Sequence, residues 1–269
     1  MAIMRRQLFE WNDQGWLPRF MTSWMTRMLR VCHHNMQNGR VWGPKVLELM
    51  QRSGENRIVD LCSGGGGPVL DMIRILEEDH GLKPQLTMTD LIPNLRTAQE
   101  INAQAGNKIY ITTPINATDV PAELQGIRTV FSGFHHLKED LAFRLLQNAF
   151  DARQHIFISE TTYRSVKAMV TYGLAFLWFF FLTPRIRPTF WQLIFTYLIP
   201  ILPLMLGWDN VVSCLRTYSE DELRGFASQL QSDDYHWQIG ELQNPRLPTP
   251  YPYIMGYPTR RATAEQDLR

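Results

Sequence analysis

The sequence carries almost no net charge: 27 Lys and Arg stand against 26 Asp and Glu, a formal +1. Basic residues are scattered, with only the short pairs Arg5-Arg6 and Arg260-Arg261 near the ends. Without a basic stripe there is no footprint for a phosphate backbone, so no nucleic acid is expected as a partner. Cysteine is scarce. Cys32, Cys62 and Cys214 are an odd set with no C-x-x-C spacing. That argues against a disulfide framework and a cysteine-ligated zinc site, and fits a reducing cytoplasm. The first 18 residues hold no unbroken apolar stretch, so a secretory signal is not expected. No internal repeat or low-complexity tract occurs. What is abundant is apolar: 45% of 269 residues, enough for one large core with accessories.

The most informative stretch is 57–70, RIVDLCSGGGGPVL. Ile58 and Val59 lead into Asp60, then into four successive glycines at 64–67. Pro68 and an apolar-periodic helix follow (Val69, Leu70, Met72, Ile73, Ile75, Leu76). Strand, glycine turn and helix start form a cofactor cradle. Glycine admits φ > 0 and close backbone approach, Pro68 suits the first helical position, and the first N–H groups of the helix are free. No Lys-Ser/Thr follows the glycines, which excludes a phosphate-binding P-loop. The register from Asp60 is D-x-C-x-G-x-G, not the G-x-G-x-x-G of a dinucleotide site.

A second strand over 85–89 ends at Asp90, 30 residues after Asp60. An acid there can accept from both ribose hydroxyls or serve as a turn or cap acid. A third strand, 108–113, leads to Ile115-Asn116-Ala117-Thr118-Asp119-Val120-Pro121. A fourth, 128–132, leads to Gly133-Phe134-His135-His136-Leu137, and a fifth, 155–159, is closed by Glu160. This alternation with helical patterns argues for an α/β fold with a parallel sheet.

The order and spacing of these motifs resemble the small-molecule branch of the class I S-adenosylmethionine-dependent methyltransferases. The acid and alternating glycines match that family's first motif. The segment from Asn116 matches a D-A-x-x-L-P motif with Asn in place of Asp. The His-His pair, the run VVSCLRTYS with Asp221-Glu222-Leu223, and YIMGYP near the end match later segments. The resemblance covers residues 55–258, and Cys62 in place of the first glycine is its clearest departure. It implies a seven-stranded, mostly parallel, doubly wound sheet with an antiparallel C-terminal hairpin of strands 237–242 and 253–257. It implies S-adenosyl-L-methionine as cofactor, bound by Asp60, Cys62, Gly64, Gly66, Asp90, Leu91, Asn116, Ala117 and Ser132, with the Asn116 carbonyl accepting from the adenine amino group. The expected organisation is a helical lid over 1–50, a Rossmann-like domain over 51–258 with an apolar insertion at 164–210, and a flexible tail at 259–269.

In methyl transfer the sulfonium supplies the activation; the protein orients the acceptor and, where needed, takes a proton. His135 and His136 stand at the open carboxyl edge of the sheet, where ligands sit. An imidazole's ordinary pKa near 6.5 suits a general base; a structural or capping histidine is the competing reading. Glu160 and Tyr163 are weaker candidates. SGFHH stands where nucleobase amino-methylating enzymes carry [D/N/S]-P-P-[Y/F], and it offers no carboxylate cluster for metal-assisted catechol chemistry. No metal is expected.

Two regions lie outside that frame. Near the N-terminus Trp11, Trp16, Phe20, Trp24, Met25, Met28 and Leu29 fall at helical spacing, as a helix packed on the sheet, a lid, or both. His33 and His34, adjacent on a helix, point about 100° apart and are expected on the surface or in the lid. Residues 168–184 and 188–208 are charge-free runs of 17 and 21 residues, separated by Arg185-Ile186-Arg187; the second carries Pro200 and Pro203. A span needs about 20 apolar residues, so neither run is a clean one. A pocket wall, a monotopic membrane contact anchored by Trp178, Trp191 and Trp208, and a homodimer surface all remain open. The expected activity is methyl transfer to a lipophilic small molecule at oxygen, in the cytoplasm or at the inner face of a membrane. The alternatives are a non-methylating S-adenosylmethionine-binding enzyme and a non-catalytic membrane scaffold.

Overall fold

The computed structural model describes residues 3–259. The tail expected at 259–269 lies, apart from Thr259, outside the described residues.

Seven strands form one sheet: β1 (Arg57–Asp60), β2 (Gln85–Met88), β3 (Lys108–Tyr110), β4 (Ile127–Phe131), β5 (Ile156–Ser159), β6 (Tyr235–Leu242) and β7 (Tyr251–Pro258). Their order is β3-β2-β1-β4-β5-β7-β6. The first five run parallel, and β7 pairs antiparallel with both β5 and β6. The strands of the centre are short apolar runs because helices cover both faces; β4 and β5 are buried throughout. β3 stops at Tyr110 rather than 113, where Thr112 and Thr113 are exposed and leave no apolar side to bury.

The helices are α1 (Arg19–Met36), α2 (Asn38–Ser53), α3 (Gly67–His80), α4 (Leu95–Asn102), α5 (Glu139–Asp151), α6 (Val166–Leu174), α7 (Phe176–Leu182), α8 (Phe190–Leu193), α9 (Ile201–Arg216) and α10 (Glu220–Ser228). One face of the sheet packs on α2 and α3 through Trp42, Leu49, Met72 and Leu76. The other packs on α5 and α10 through Leu145, Leu146 and Leu223.

The N-terminal region differs from the expected continuous helix. Up to Pro18 it is an extended strap with one 3-10 turn, Trp11–Asp13. Gly15 and Pro18 interrupt the pattern, so Trp11 and Trp16 fall outside the helical stripe and Trp16 is exposed. Trp24, Met25 and Met28 form the buried stripe of α1. His33 is also buried, contrary to expectation, because the apolar side of α1 turns it toward α2. Its Nδ1 lies 2.7 Å from the Asn38 side-chain nitrogen, and burial lowers its pKa to about 4.

The insertion, α6 to α9, has two unlike sides. Phe179, Leu182, Ile186, Leu202, Met205 and Leu206 pack on Trp24, Met25 and Met28 of α1, forming a third small core. Trp178, Phe181, Phe190, Trp191, Leu198 and Leu204 face outward and are exposed. The segment Val166–Ile186 is long and apolar enough to cross a membrane; the next two helical pieces meet at a 73° bend.

Candidate active site

The carboxyl ends of β1, β2 and β4 build the glycine cradle. Asp60 closes β1 and is buried; its Oδ2 accepts from the Ser63 hydroxyl (2.6 Å) and its Oδ1 from Thr129 (2.7 Å). Burial raises its pKa to about 7 against those two donors. Cys62, Gly64 and Gly66 all have positive φ, +58°, +49° and +73°. A non-glycine residue in this region is strained, so Cys62 stands where glycine fits best. Burial pushes its thiol up. Asp90 braces the loop: its Oδ2 accepts from Gly64 N–H (2.7 Å) and its Oδ1 from Ile92 N–H (2.9 Å). Each oxygen keeps capacity for a further donor. Helix α1 lies close over the loop, with Arg30 donating to the Gly65 carbonyl (2.8 Å). A Cβ on Gly65 would sit 2.4 Å from the Thr26 methyl group.

The remaining cofactor candidates line the same edge with different availability. Leu91 is exposed beside Asp90, and Ala117 is buried against the sheet. At Asn116 both acceptor positions of Oδ1 are taken by Thr118, by the backbone N–H and the hydroxyl, each at 3.0 Å. A contact from adenine to that oxygen has to displace one of them. Ser132 turns the chain after β4 at φ +54° and its hydroxyl meets that of Thr161 at 3.0 Å.

Three residues further, a short 3-10 turn carries the two histidines. His135 is buried. Its backbone N–H donates to Glu160 Oε1 (3.0 Å), and its Nδ1 lies 2.7 Å from Glu160 Oε2. Its Nε2 has no hydrogen-bond partner and lies 3.8 Å from Glu10 Oε1. His136 is a third exposed; its Nδ1 is 3.1 Å from Asp13 Oδ1 and 3.1 Å from Arg216 Nη1. Arg216 is buried and also reaches Glu10 Oε1 (3.2 Å) and Asp13 Oδ2 (2.8 Å). Asp209 fastens the strap by accepting from the backbone N–H groups of Trp11 (2.7 Å) and Asn12 (2.9 Å). Burial raises Glu10 to about 7 and Asp209 to about 6. For Asp13, burial is outweighed by His136 and Arg216, and its pKa falls.

No family model matches the sequence, and no curated protein does. Solved structures do match in fold. The plantazolicin methyltransferase BpumL in complex with SAH aligns with a TM-score of 0.52 at 11% identity, over 90% of each chain. The same protein with a monoazolic desmethylPZN analog and SAH aligns at 0.51 and 10%, again over 90% of each. The fold is that of the plantazolicin methyltransferase BpumL.

On this fold the two groups of sequence candidates share one edge of the sheet, joined where Gly133 packs on Cys62. The residues the sequence did not point to are Glu10, Asp13, Asp209 and Arg216. Glu10, Asp13 and Asp209 supply the carboxylates that the segment after β4 lacks, and Arg216 pairs with the first two. One signal was present. Asp209 is the only acid in 161–219, and Arg216 lies seven residues on, on the same face of the otherwise uncharged α9. Tyr163, a weaker candidate, has its hydroxyl turned to Glu241.

Proposed function

We propose that this protein transfers the methyl group of S-adenosylmethionine to a hydroxyl oxygen of a lipophilic small molecule. The observation that carries this is the cradle: a left-handed glycine turn at the start of α3, pinned by Asp90 at the tip of the neighbouring strand. Backbone N–H groups and a ribose-competent carboxylate converge there without any phosphate-binding lysine. The SAH bound by BpumL supports the same cofactor. In the reaction the methyl carbon–sulfur bond breaks, an oxygen–carbon bond forms, and S-adenosylhomocysteine leaves as a neutral thioether. The hydroxyl proton departs toward His135 and His136, the groups at the acceptor end.

Calorimetry with S-adenosylmethionine and S-adenosylhomocysteine tests the cofactor, with NAD as control. Micromolar binding of either is expected. Heat with NAD and none with the other two overturns the assignment. Asp90→Ala removes a charged acceptor and is expected to weaken binding by on the order of 2 kcal/mol, about 30-fold.

The lipophilic acceptor is supported by an open groove of about 330 Å³ between the strap and α9, lined by Phe9, Trp11, Ile201, Leu204, Met205 and Trp208. It begins one residue from Glu10. The outer side of the insertion favours a membrane as the place where such an acceptor is met. Large exposed apolar patches mark interaction surfaces. Residues 161–208 carry Arg164, Lys167, Arg185 and Arg187 and no acid, a composition suited to an anionic lipid surface. The helices lie along the body, held to α1 by Arg27 on the Ile186 carbonyl and on Gln192 (each 2.6 Å), so the contact is peripheral. Each buried aromatic contributes about 1.5–3 kcal/mol. Flotation with anionic liposomes is therefore expected, with loss on changing Trp178 and Phe181 together to Ser. Phe179 is unsuitable for that test because it faces the core. Wild-type protein that stays with the soluble fraction at low salt refutes the membrane contact.

A further inference from the structure

We propose that Glu10, His135 and His136 form a binding site for one divalent transition-metal ion beside the carboxyl end of β4. Each offers one ligand atom, and these atoms lie within 4.8 Å of one another. His135 Nε2 is 3.8 Å from Glu10 Oε1, and His136 Nδ1 is 3.8 Å from Glu10 Oε2. Both gaps are too long for hydrogen bonds. They are near the ~3.3 Å that separates two ligands of a tetrahedral ion bound at ~2.0–2.1 Å.

A second observation points the same way. The His135 side chain is 5% exposed, and its Nε2 is a buried polar atom without a partner. Buried polar atoms are nearly always bonded, so an orphan at a cluster of donors calls for an occupant. The other ring nitrogen meets Glu160 at 2.7 Å. With Nδ1–H donating to that carboxylate, the neutral ring turns the Nε2 lone pair toward Glu10. A carboxylate behind the ring is the arrangement that orients and strengthens a metal-ligating histidine.

Charge also favours a cation. Glu10, Asp13, Glu160 and Asp209 surround the site. Against them stand Arg216 and, behind the loop, Arg5, whose guanidinium bonds to the His135 and Leu137 carbonyls. Buried carboxylates in excess are costly unless neutralised. Arg216 competes for two of the ligands, since its Nη1 contacts Glu10 and His136. It need not leave the cluster to release them, because Asp13 (2.8 Å) and the Leu8 carbonyl (2.9 Å) also hold it. Two imidazoles and one carboxylate suit zinc or a neighbouring first-row ion, with a fourth position open. The exposed sides of His136 and Asp13 provide the way in.

The consequence for catalysis rests on the methyl-transfer reading; the site itself does not. A cation there would polarise an acceptor hydroxyl, whose proton would leave to solvent past His136.

The test titrates the chelator-treated full chain with Co²⁺ and Zn²⁺. One equivalent is expected, with visible absorption of four- or five-coordinate Co²⁺ and no thiolate charge-transfer band. His135→Gln and Glu10→Gln are each expected to weaken uptake at least 100-fold. Glu160→Gln, which acts only through His135, should weaken it about 10–100-fold. No stoichiometric uptake by the wild type overturns the proposal, as does uptake that survives His135→Gln or that carries a thiolate band. S-adenosylhomocysteine binding, measured on the same samples, reports the folded cradle and stands or falls separately.

Discussion

His135→Gln is expected to lower methyl transfer by roughly 10²–10⁴-fold with cofactor affinity unchanged. The position of the ring sets this outcome. Its Nδ1 side is anchored on Glu160, and its Nε2 is the one ring atom left without a partner. Glutamine can keep a donor to Glu160 but puts no imidazole lone pair at the acceptor end. Whether that lone pair takes a proton or holds a cation, the variant loses it. The loss should appear in kcat, because among the described residues the ring's polar partners are Glu160 and Glu10 rather than groups of the glycine cradle. His136→Gln should cost less, since its Nδ1 is shared with Asp13 and Arg216. Glu160→Gln, a positioning change, is expected to fall between wild type and His135→Gln and to alter the pH profile of kcat. Near-normal turnover in both single histidine variants would leave catalysis to orientation alone, and would point to an acceptor already ionised, such as a carboxylate.

How much of this was legible in the sequence depends on how local each feature is. The cradle was readable because its parts are consecutive. A short apolar strand, an acid, glycines able to take positive φ and a proline at the helix start dictate one local geometry, and Cys62 stood out as an exception before its φ of +58° was known. Parallel order followed from alternating strand and helix patterns, and the C-terminal hairpin from resemblance; both are in the structure. The polar cluster was not readable. Its members come from residues 10–13, 135–160 and 209–216, and only tertiary packing brings them together. The strap departs from its aromatic spacing for a related reason. Aromatic spacing near four residues looks helical, but Gly15 and Pro18 outweigh it, and what fixes Glu10 is Asp209 bonding to the strap backbone nearly 200 residues away in the chain. Asn116 shows the opposite limit. Its identity matched the family position closely, yet a local turn with Thr118 had already used the oxygen in question.

Gly64→Val and Gly66→Val are expected to abolish cofactor binding, and the structure separates their effects on stability. Both positions have positive φ, +49° and +73°. That region costs an L-residue about 1–2 kcal/mol, and a β-branched one more. At Gly64 a new Cβ meets no atom within 4 Å. The cost there is backbone strain alone, and the added side chain stands on the loop face that a cofactor must approach. Binding should disappear while the melting temperature falls by only a few degrees. At Gly66 a Cβ would lie 2.5 Å from the Met88 methyl and 3.1 Å from a Leu70 methyl. Met88 is fully buried in the core on that side of the sheet, so Gly66→Val adds overpacking of about 1–3 kcal/mol to the strain and should lower the melting temperature further. Cys62→Gly is the converse case: it relieves a left-handed non-glycine residue and should leave both binding and folding intact. Calorimetry with S-adenosylhomocysteine and thermal unfolding of the three variants measure these outcomes. Normal binding by both valine variants would reduce the glycine run to a plain strand-to-helix turn and remove the observation on which the cofactor assignment rests.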